Sequence, residues 1–158
     1  MPAPKTVKES KSELTELALP NDANGLGNML GGKLMHLMDI AGSLAAARHA
    51  RAHVVTASFD HMNFLAPVHI GQLVLLCSSV NRVFRTSMEV GVKAYVEDLL
   101  TGERKHVSSG YLTFVALDEK RNPIPVPPIV PETEQEKRRY EQAGLRRASR
   151  MQSAGRAP

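Results

Sequence analysis

The sequence predicts an α+β domain in which a curved antiparallel sheet of five to six strands wraps around one long central helix. The helix is indicated by the most apolar stretch, about Gly32 to His49, where alanines and leucines have high helical propensity and apolar positions cover nearly the whole circumference. One short strand is predicted before this helix and four after it, because the later segments alternate apolar and polar residues with a period of two. A helix this apolar is expected to be surrounded, and the dry face of the sheet can cover it.

Length and composition favour a single domain. The 158 residues suffice for one sizeable core, and contents of 42% hydrophobic and 23% charged residues are ordinary for a globular protein. No apolar run approaches the roughly 18 residues of a membrane-spanning helix, and the amino terminus lacks the apolar core of a secretory signal. We therefore expect a cytoplasmic protein without a membrane partner.

The sequence favours neither disulfide nor metal chemistry. Cys77 is the single cysteine, which excludes an intrachain disulfide and a cysteine-rich metal site, and its type is more often core packing than nucleophile. The six histidines show no ligand spacing with nearby carboxylates. We expect no metal and no cofactor.

The segments before the helix are short and polar. Residues 1–12 are rich in proline and lysine and are predicted to be a disordered amino-terminal segment. Residues 13–19 precede Pro20 and are predicted as a strand, and residues 21–28 are dense in turn-forming types and are predicted as a loop. The domain itself is expected to span residues 13–130.

Four strands are predicted after the helix. In the first, strict alternation places one set of side chains on a single face: Val54, Thr56, Ser58, Asp60 and Met62. The next three are predicted at residues 73–84, 87–96 and 105–117, with a turn at 98–103. The prolines of residues 123–128 favour an extended arm that runs along the surface and closes the domain.

Residues 131–158 form a highly charged tail that is predicted to be helical or mobile. The tail holds seven basic and four acidic residues, and this excess of three accounts for most of the formal net charge of +4. Such a tail can bind phosphate, including nucleic acid, but a charge run is more often a solvated helix face. An aromatic content of 4% without tryptophan offers few platforms for base stacking, so we expect no nucleic-acid partner.

A single carboxylate, Asp39, lies in the middle of the apolar helix. Burying an unpaired carboxylate is costly, so its persistence there suggests that its charge or basicity is used. The structural alternative is that Asp39 hydrogen-bonds to its neighbours and fixes the register of the helix against them. His36, one turn earlier on a similar face, is more typical of a satisfied core histidine than of a catalytic partner.

Several motifs in one order resemble the acyl-CoA hydrolases of the hotdog-fold superfamily, over roughly residues 13–135. The motifs are residues 24–39 (NGLGNMLGGKLMHLMD), 47–49, 54–57, 64–68, 71, 85–90, 114–118 and 125–127. The chain is similar both to small bacterial acyl-CoA thioesterases and to one half of the two-domain cytosolic long-chain enzymes of animals. The resemblance implies a hotdog fold, a homodimer whose two sheets join into one, and often a hexamer built as a trimer of dimers.

The resemblance also implies hydrolysis of fatty acyl-CoA to free fatty acid and coenzyme A. A thiolate leaves without a strong acid to protonate it, so no Ser-His-Asp triad is needed. Asp39 can act as general base toward water or as a nucleophile. Backbone N–H groups near Gly31 and Gly32, at the positive end of the helix, can hold the oxyanion. In the relatives the residues matching Asn24 and Asp39 meet across the subunit interface, which implies a composite site.

These assignments have structural alternatives. Asn24 can be a turn residue before a glycine, and Gly31 and Gly32 can serve close packing at the helix start. Asp39 lies about two turns beyond Gly32, so one helix need not bring both to the same carbonyl. A dimer can do so.

The phosphates of coenzyme A require cations and backbone donors. By resemblance, Arg85, Thr86 and Ser87 match the place where the relatives hold the nucleotide, with Arg82 and Arg48 as weaker candidates. Arg48 can equally be a solvated cation that is favoured by the dipole at the carboxyl end of the helix.

The acyl chain is expected in an apolar tunnel along the helix, where Met35, Met38 and Phe64 set its length. Two other functions are open to the same fold. A non-catalytic acyl-CoA sensor of the hotdog type would carry a DNA-binding helical domain, for which the residues before Leu14 are too few. A dehydratase acting on acyl carrier protein would need a catalytic histidine in a loop, and His61 and His69 lie outside the expected motif.

Overall fold

The computed structural model describes residues 2–155 and confirms the α+β architecture. Its elements are β1 (Lys5–Thr6), β2 (Ser12–Leu17), α1 (Gly31–Ala50), β3 (His53–Phe64), β4 (Leu73–Phe84), β5 (Ser87–Glu97), β6 (Arg104–Leu117), β7 (Ile129–Val130) and α2 (Glu134–Ser153). Five strands form an antiparallel sheet in the order β2-β4-β5-β6-β3, and β1 pairs with β7 in a small parallel ribbon. The sheet order makes β3 an edge strand.

Helix α1 packs very closely on one face of the sheet. Leu37, Met38 and Ala45 on its inner side are fully buried. Gly42 permits the close approach, because a Cβ at that position would lie 3.1 Å from the ring of Phe114 on β6. This contact fixes the height of α1 above the sheet.

The opposite side of α1 is open, so the expectation of a fully surrounded helix is wrong for the single chain. Met35, Ile40 and Leu44 are 40%, 36% and 40% exposed, and they are spread around the part of α1 that the sheet does not cover. The sheet covers only one side of a helix that is apolar all round. Apolar side chains of α1 therefore remain exposed in the single chain.

Strand β3 does not keep the strict alternation predicted for it. Its pairing with β6 shifts register between Thr56 and Ser58 and again between Asp60 and Asn63. Each bulge adds a residue and reverses the faces beyond it. Phe59 and Met62 therefore join Val54 against the core. The predicted single face for the even-numbered positions is wrong for Ser58 and Asp60, which lie on the side of α2.

The prediction of a disordered segment at residues 1–12 is also wrong for the part that the structure describes; Met1 lies outside it. Val7 is 3% exposed, and β2 begins at Ser12. The hydroxyl of Ser10 accepts a hydrogen bond from the backbone N–H of Val80 on β4, at 2.9 Å. Composition does not reveal this order, because the segment is held by partners in distant parts of the chain.

The proline-rich arm is extended, as predicted, but its middle is buried rather than superficial. Val126 is 3% exposed. The carbonyl of Pro127 lies 2.6 Å from Nε2 of the fully buried His49, at the end of α1. Lys5 joins the two, since its backbone N–H donates to the carbonyl of Pro128 at 2.9 Å and its Nζ to the carbonyl of His49 at 2.7 Å.

The charged tail is helical over α2 and packs on the outer face of the chain's own sheet, opposite α1; residues 156–158 lie outside the described part. Glu89 on β5 alternates with the core residues on that strand and is fully buried beneath α2. Arg146 donates to both of its carboxylate oxygens, at 2.9 and 2.6 Å, and stacks over Tyr111 at 3.6 Å. Asn81 donates a third bond to Glu89 at 3.0 Å.

Burial by itself lowers the pKa of the Arg146 guanidinium. The hydrogen bonds to Glu89 and its negative charge have the larger effect together, so the pKa is raised. The ion pair therefore holds α2 in place. Between residues 2 and 155, no helix is long and apolar enough to cross a membrane.

Replacing Arg146 with alanine should lower the free energy of unfolding by about 3 to 5 kcal/mol, because it leaves the Glu89 carboxylate buried without its partner. Urea denaturation measures this change. The matched control is Arg138→Ala on the exposed side of α2, which should change stability by less than about 0.5 kcal/mol. Equal effects of the two substitutions would show that the ion pair does not secure the tail.

Stability should fall in mild acid because of His49. Burial lowers the pKa of this histidine below 6.5, against the opposing hydrogen bond to Pro127, so the unfolded chain takes up a proton more readily than the folded one. The contribution of neutral His49 to the free energy of unfolding is fully present above pH 6.5. It is lost as the pH falls through the lower pKa that this histidine has in the folded state. Thermal unfolding of the wild type and of His49→Gln across pH 4 to 8 tests this; parallel pH curves would contradict it.

Candidate active site

The carboxylate of Asp39 is fixed by a neighbouring hydroxyl. Asp39 lies on the side of α1 that faces β3 and is half-buried. The Oγ1 of Thr56 donates to its Oδ1 at 2.6 Å. Within residues 2–155, Oδ2 accepts no hydrogen bond, so it is open to a water molecule or a substrate. The hydrogen bond thus orients the Asp39 carboxylate and leaves one of its oxygens available.

Sequence reasoning missed Thr56, which it treated only as a strand residue. Thr56 is the last position on β3 before the first bulge, and the bulge turns the following residues away from α1. A polar side chain on the inward face of a strand, within a motif shared with the acyl-CoA hydrolases, was the signal available in the sequence.

The start of α1 carries donors without protein acceptors. The residue before the helix is Leu30, whose side chain cannot accept a hydrogen bond. The first bonds to the Leu30 carbonyl come from Lys33 and Leu34, so in the described chain the N–H groups of Gly31 and Gly32 stay unpaired. These N–H groups, at the positive end of the helix, can bind an anion or an oxyanion.

The two glycines differ in what their packing requires. A Cβ at Gly31 would lie 3.3 Å from the ring of Phe64, so close packing accounts for this glycine. A Cβ at Gly32 would meet nothing within 4 Å in the described chain. Packing inside one chain therefore does not explain Gly32.

Asn24 serves the loop and also faces a cleft. Its Oδ1 accepts from the N–H of Leu26 at 2.8 Å and of Asn28 at 3.2 Å, which is the turn role foreseen as the alternative. Its Nδ2 donates to no residue within 2–155. Asn24 also lines a cleft of about 350 Å³ together with Gly31 and residues 64–68.

The cleft unites Asn24 with the helix start but not with Asp39, which does not line it. One chain therefore holds the parts of the predicted site in two places. The predicted distance of two helical turns between Gly32 and Asp39 accounts for the separation.

Three of the predicted coenzyme A residues lie together at one hairpin. Arg85, with φ 57°, and Thr86 form the two-residue turn between β4 and β5. Thr86 and Ser87 line a groove of about 770 Å³ between the sheet and α2, and Arg85 is exposed at the tip of the turn.

Neither Arg82 nor Arg48 lines the groove at this hairpin. Arg82 stacks over Tyr140 at 4.1 Å and donates to its carbonyl at 3.3 Å. Gly144 makes room for it, because a Cβ there would collide with its guanidinium. Arg48 donates to the carbonyl of Lys11 at 2.9 Å. Both arginines are bound by the protein itself.

The residues predicted for the acyl-chain pocket divide between surface and core. Met35 and Phe64 are 40% and 55% exposed and flank the start of α1. Met38 is fully buried against β6, with its Cε 3.3 Å from where a Cβ of Gly110 would lie. The structure places Met38 in the core rather than in an open pocket, because it points from α1 directly at the sheet.

Cys77, expected to pack in the core, is instead exposed on β4. Partial burial and then the charge of Glu13 raise the pKa of its thiol, which disfavours the thiolate that a nucleophile requires. Throughout residues 2–155, no three histidine, cysteine or acidic side chains are grouped as metal ligands.

The chain is similar to known thioester hydrolases in sequence. Residues 26–103 match the model of the Thioesterase superfamily. The uncharacterized acyl-CoA thioester hydrolase YkhA of Bacillus subtilis is 47% identical over 135 residues, which are 85% of this chain and 78% of that protein. The cytosolic acyl coenzyme A thioester hydrolase of Rattus norvegicus is 36% identical over 89% of this chain, which spans only 38% of the rat protein.

Solved structures are similar in fold over nearly the full length. The crystal structure of an apo-hexameric acyl-CoA thioesterase has a TM-score of 0.92 and 41% identity, covering 96% of this chain and 97% of that one. An acyl-CoA hydrolase from Staphylococcus aureus, solved with butyryl coenzyme A, coenzyme A and its disulfide, has a TM-score of 0.86 and 35% identity, covering 96% and 94%. Variants of the staphylococcal enzyme with an asparagine, an aspartate or a threonine replaced by alanine have also been solved.

Proposed function

Because the chain belongs to the hotdog-fold acyl-CoA thioester hydrolases of the Thioesterase superfamily, we propose that it hydrolyses fatty acyl-CoA to a free fatty acid and coenzyme A. The observation that carries the mechanism is the hydrogen bond of 2.6 Å from Thr56 to Asp39. It holds one carboxylate oxygen and leaves the other free at the open side of α1.

Asp39 is the residue that activates the attacking oxygen. With Oδ1 held by Thr56, Oδ2 accepts the proton of a water molecule as that water attacks the thioester carbonyl carbon. The carbonyl oxygen becomes an oxyanion, and collapse of the tetrahedral intermediate breaks the carbon–sulfur bond and releases the thiolate of coenzyme A. Direct attack by Asp39, giving a mixed anhydride that water then hydrolyses, is the other route open to the same carboxylate.

The spacing of three residues supports these roles. The asparagine, aspartate and threonine replaced in the staphylococcal enzyme are separated by 15 and 17 positions. Asn24, Asp39 and Thr56 have the same separations and the same residue types. This agreement singles out the pair that the hydrogen bond joins, together with the asparagine of the cleft.

The oxyanion is held at the start of α1. The N–H groups of Gly31 and Gly32 have no acceptor within the described chain, and Gly32 leaves an open approach to the backbone. Donors that are already fixed toward a developing charge stabilise it without reorganisation. The Nδ2 of Asn24, also without an acceptor in residues 2–155, orients the carbonyl or the water beside them.

A second copy of the chain completes the site. Asn24 and Gly31 line one cleft and Asp39 lies outside it, so the catalytic set of one chain is divided. Within residues 2–155, the exposed apolar side chains of α1 are uncovered and the outer edge of β3 has no partner strand. A homodimer formed there joins the two sheets and brings Asn24 of one subunit to Asp39 of the other, and a trimer of such dimers accords with the hexameric relative.

The acyl chain lies along the exposed apolar side chains at the start of α1. Met35 and Phe64 flank the start of α1, where the thioester carbonyl is bound, and both are largely exposed in the single chain. Closure of the dimer over them gives the apolar surroundings that a fatty chain requires. A cytoplasmic location is part of the proposal, in keeping with the rat relative named cytosolic.

Thiol release from acyl-CoAs of varied chain length should be readily measured for the wild type. Asp39→Asn should lower kcat by about 10²- to 10⁴-fold, because the amide cannot accept the proton. Thr56→Val, which keeps the shape but removes the hydrogen bond, should lower kcat by about tenfold.

Circular dichroism of both variants controls for folding. Full activity of a folded Asp39→Asn variant would refute the proposed mechanism. Thiol release from none of the acyl-CoAs by the wild type would favour a non-catalytic acyl-CoA sensor.

Mixing two inactive variants tests the composite site. Asn24→Ala and Asp39→Ala should each be nearly inactive alone, but a mixed dimer contains one intact site. Refolding them together in equal amounts should restore about one quarter of wild-type activity, since half of the dimers are mixed and each has one working site of two. A mixture no more active than its components would place both residues in one subunit's site.

A further inference from the structure

The loop that carries Asn24 is held more by hydrogen bonds than by apolar packing. It connects β2 to α1, and two of its leucines, Leu26 and Leu30, are 84% and 46% exposed. Met29 is buried, but it lies at the other end of the loop from Asn24. The position of Asn24 beside the cleft therefore depends on polar contacts.

The side chain of Asn24 takes its orientation from Asn28. The N–H of Asn24 donates to the carbonyl of Asn28 at 2.7 Å, and the N–H of Asn28 donates back to Oδ1 of Asn24 at 3.2 Å. The oxygen and the nitrogen of an amide lie in one plane, so fixing the oxygen also fixes the nitrogen. The direction of Nδ2 of Asn24 therefore depends on where Asn28 lies.

Asn28 is bound in turn to the connection between β3 and β4. It pairs with His69 in an isolated antiparallel bridge, next to which the N–H of Met29 donates to the carbonyl of Val68 at 2.7 Å. The side chains add a further bond, because Nδ1 of His69 lies 2.8 Å from Oδ1 of Asn28. An amide oxygen can only accept, so the ring of His69 is the donor.

His69 is itself fixed to the end of β2 through Gln72. Its N–H donates to Oε1 of Gln72 at 2.8 Å, and the N–H of Gln72 donates to the carbonyl of His69 at 3.1 Å. The carbonyl of Gln72 accepts from the N–H of Ala18, which is fully buried directly after β2, at 2.9 Å. A continuous set of hydrogen bonds thus runs from the sheet to Asn24.

The ring of His69 is the link in this set that a substitution can remove without loss of core packing. His69 is exposed, and it does not line the cleft that Asn24 and Asn28 line. Any effect of its ring on the reaction therefore has to pass through Asn28 and the loop.

We propose that His69 is a positioning residue for the hydrolysis: its ring holds Asn28, and Asn28 holds the amide of Asn24 with Nδ2 available to the substrate. The proposal rests on the proposed function and deepens it, because it names what fixes the asparagine of the composite site. His69 contacts neither the substrate nor the attacking water, and it takes no part in proton transfer.

The first test compares His69→Ala with two matched variants. His69→Ala should lower kcat for butyryl-CoA by about three- to tenfold with little change in KM, because one hydrogen bond that orients Asn24 is lost. His69→Asn should recover most of the activity, since the Nδ2 of an asparagine lies close to where Nδ1 of the histidine lies and can donate in its place. His53→Ala removes another exposed histidine, at the start of β3, and should behave as the wild type.

A double-mutant cycle with Asn24 shows whether His69 acts through it. In an Asn24→Ala background, measured at high enzyme concentration, His69→Ala should leave the residual kcat unchanged, because the amide that it orients is absent. Thermal unfolding should differ little between the single variants and the wild type. An equal loss of kcat in both backgrounds would overturn the proposal.

Amide hydrogen exchange measured by NMR gives a readout independent of catalysis. The N–H groups of Leu26 and Asn28, both bonded to Oδ1 of Asn24, should exchange about three- to tenfold faster in His69→Ala and at nearly the wild-type rate in His69→Asn. Unchanged exchange, or unchanged kcat, in His69→Ala would overturn the proposal. Faster exchange in His69→Ala together with a wild type that releases no thiol would instead refute the proposed function, while the hold of His69 on the loop would stand.

Discussion

The site depends on one constraint, which is the close packing of α1 on the sheet. Gly42 lets the helix approach the ring of Phe114, and this fixes how far Asp39 lies from the edge strand. At that height the carboxylate can meet a hydroxyl on β3, and it does so at Thr56. A helix raised by even one methyl group would lose this contact, since packed interiors leave little room for adjustment.

The bulges of β3 allow one strand to serve both faces of the sheet. Before the first bulge, Val54 and Thr56 face α1; after it, Ser58 faces α2, while Phe59 returns to the core. A strand without bulges would place Thr56 and Ser58 on the same face. The change of face allows neighbouring residues of one strand to contact α1 on one side of the sheet and α2 on the other.

The sequence predicted the helix, the five strands and their turns well, because hydrophobic periodicity and turn residues act locally. It did not predict order in residues 5–12, whose partners are His49, Val80 and Pro128 in distant segments. It also could not place α2, because the burial of Glu89 beneath Arg146 depends on a contact between remote residues. For the site, Asp39 was evident as a charge in an apolar helix, but Thr56 looked like any strand threonine, and the side chains of Met38 and Arg82 were turned elsewhere by packing.

The ribbon of β1 and β7 unites segments from the two ends of the chain. The two segments are far apart in sequence, so their pairing depends on the sheet that holds both of them in place. The β1 segment is synthesised before β7 and has no strand to pair with until β7 follows. The contacts of Lys5 with the proline arm and with the end of α1 therefore form only after most of the domain has been synthesised.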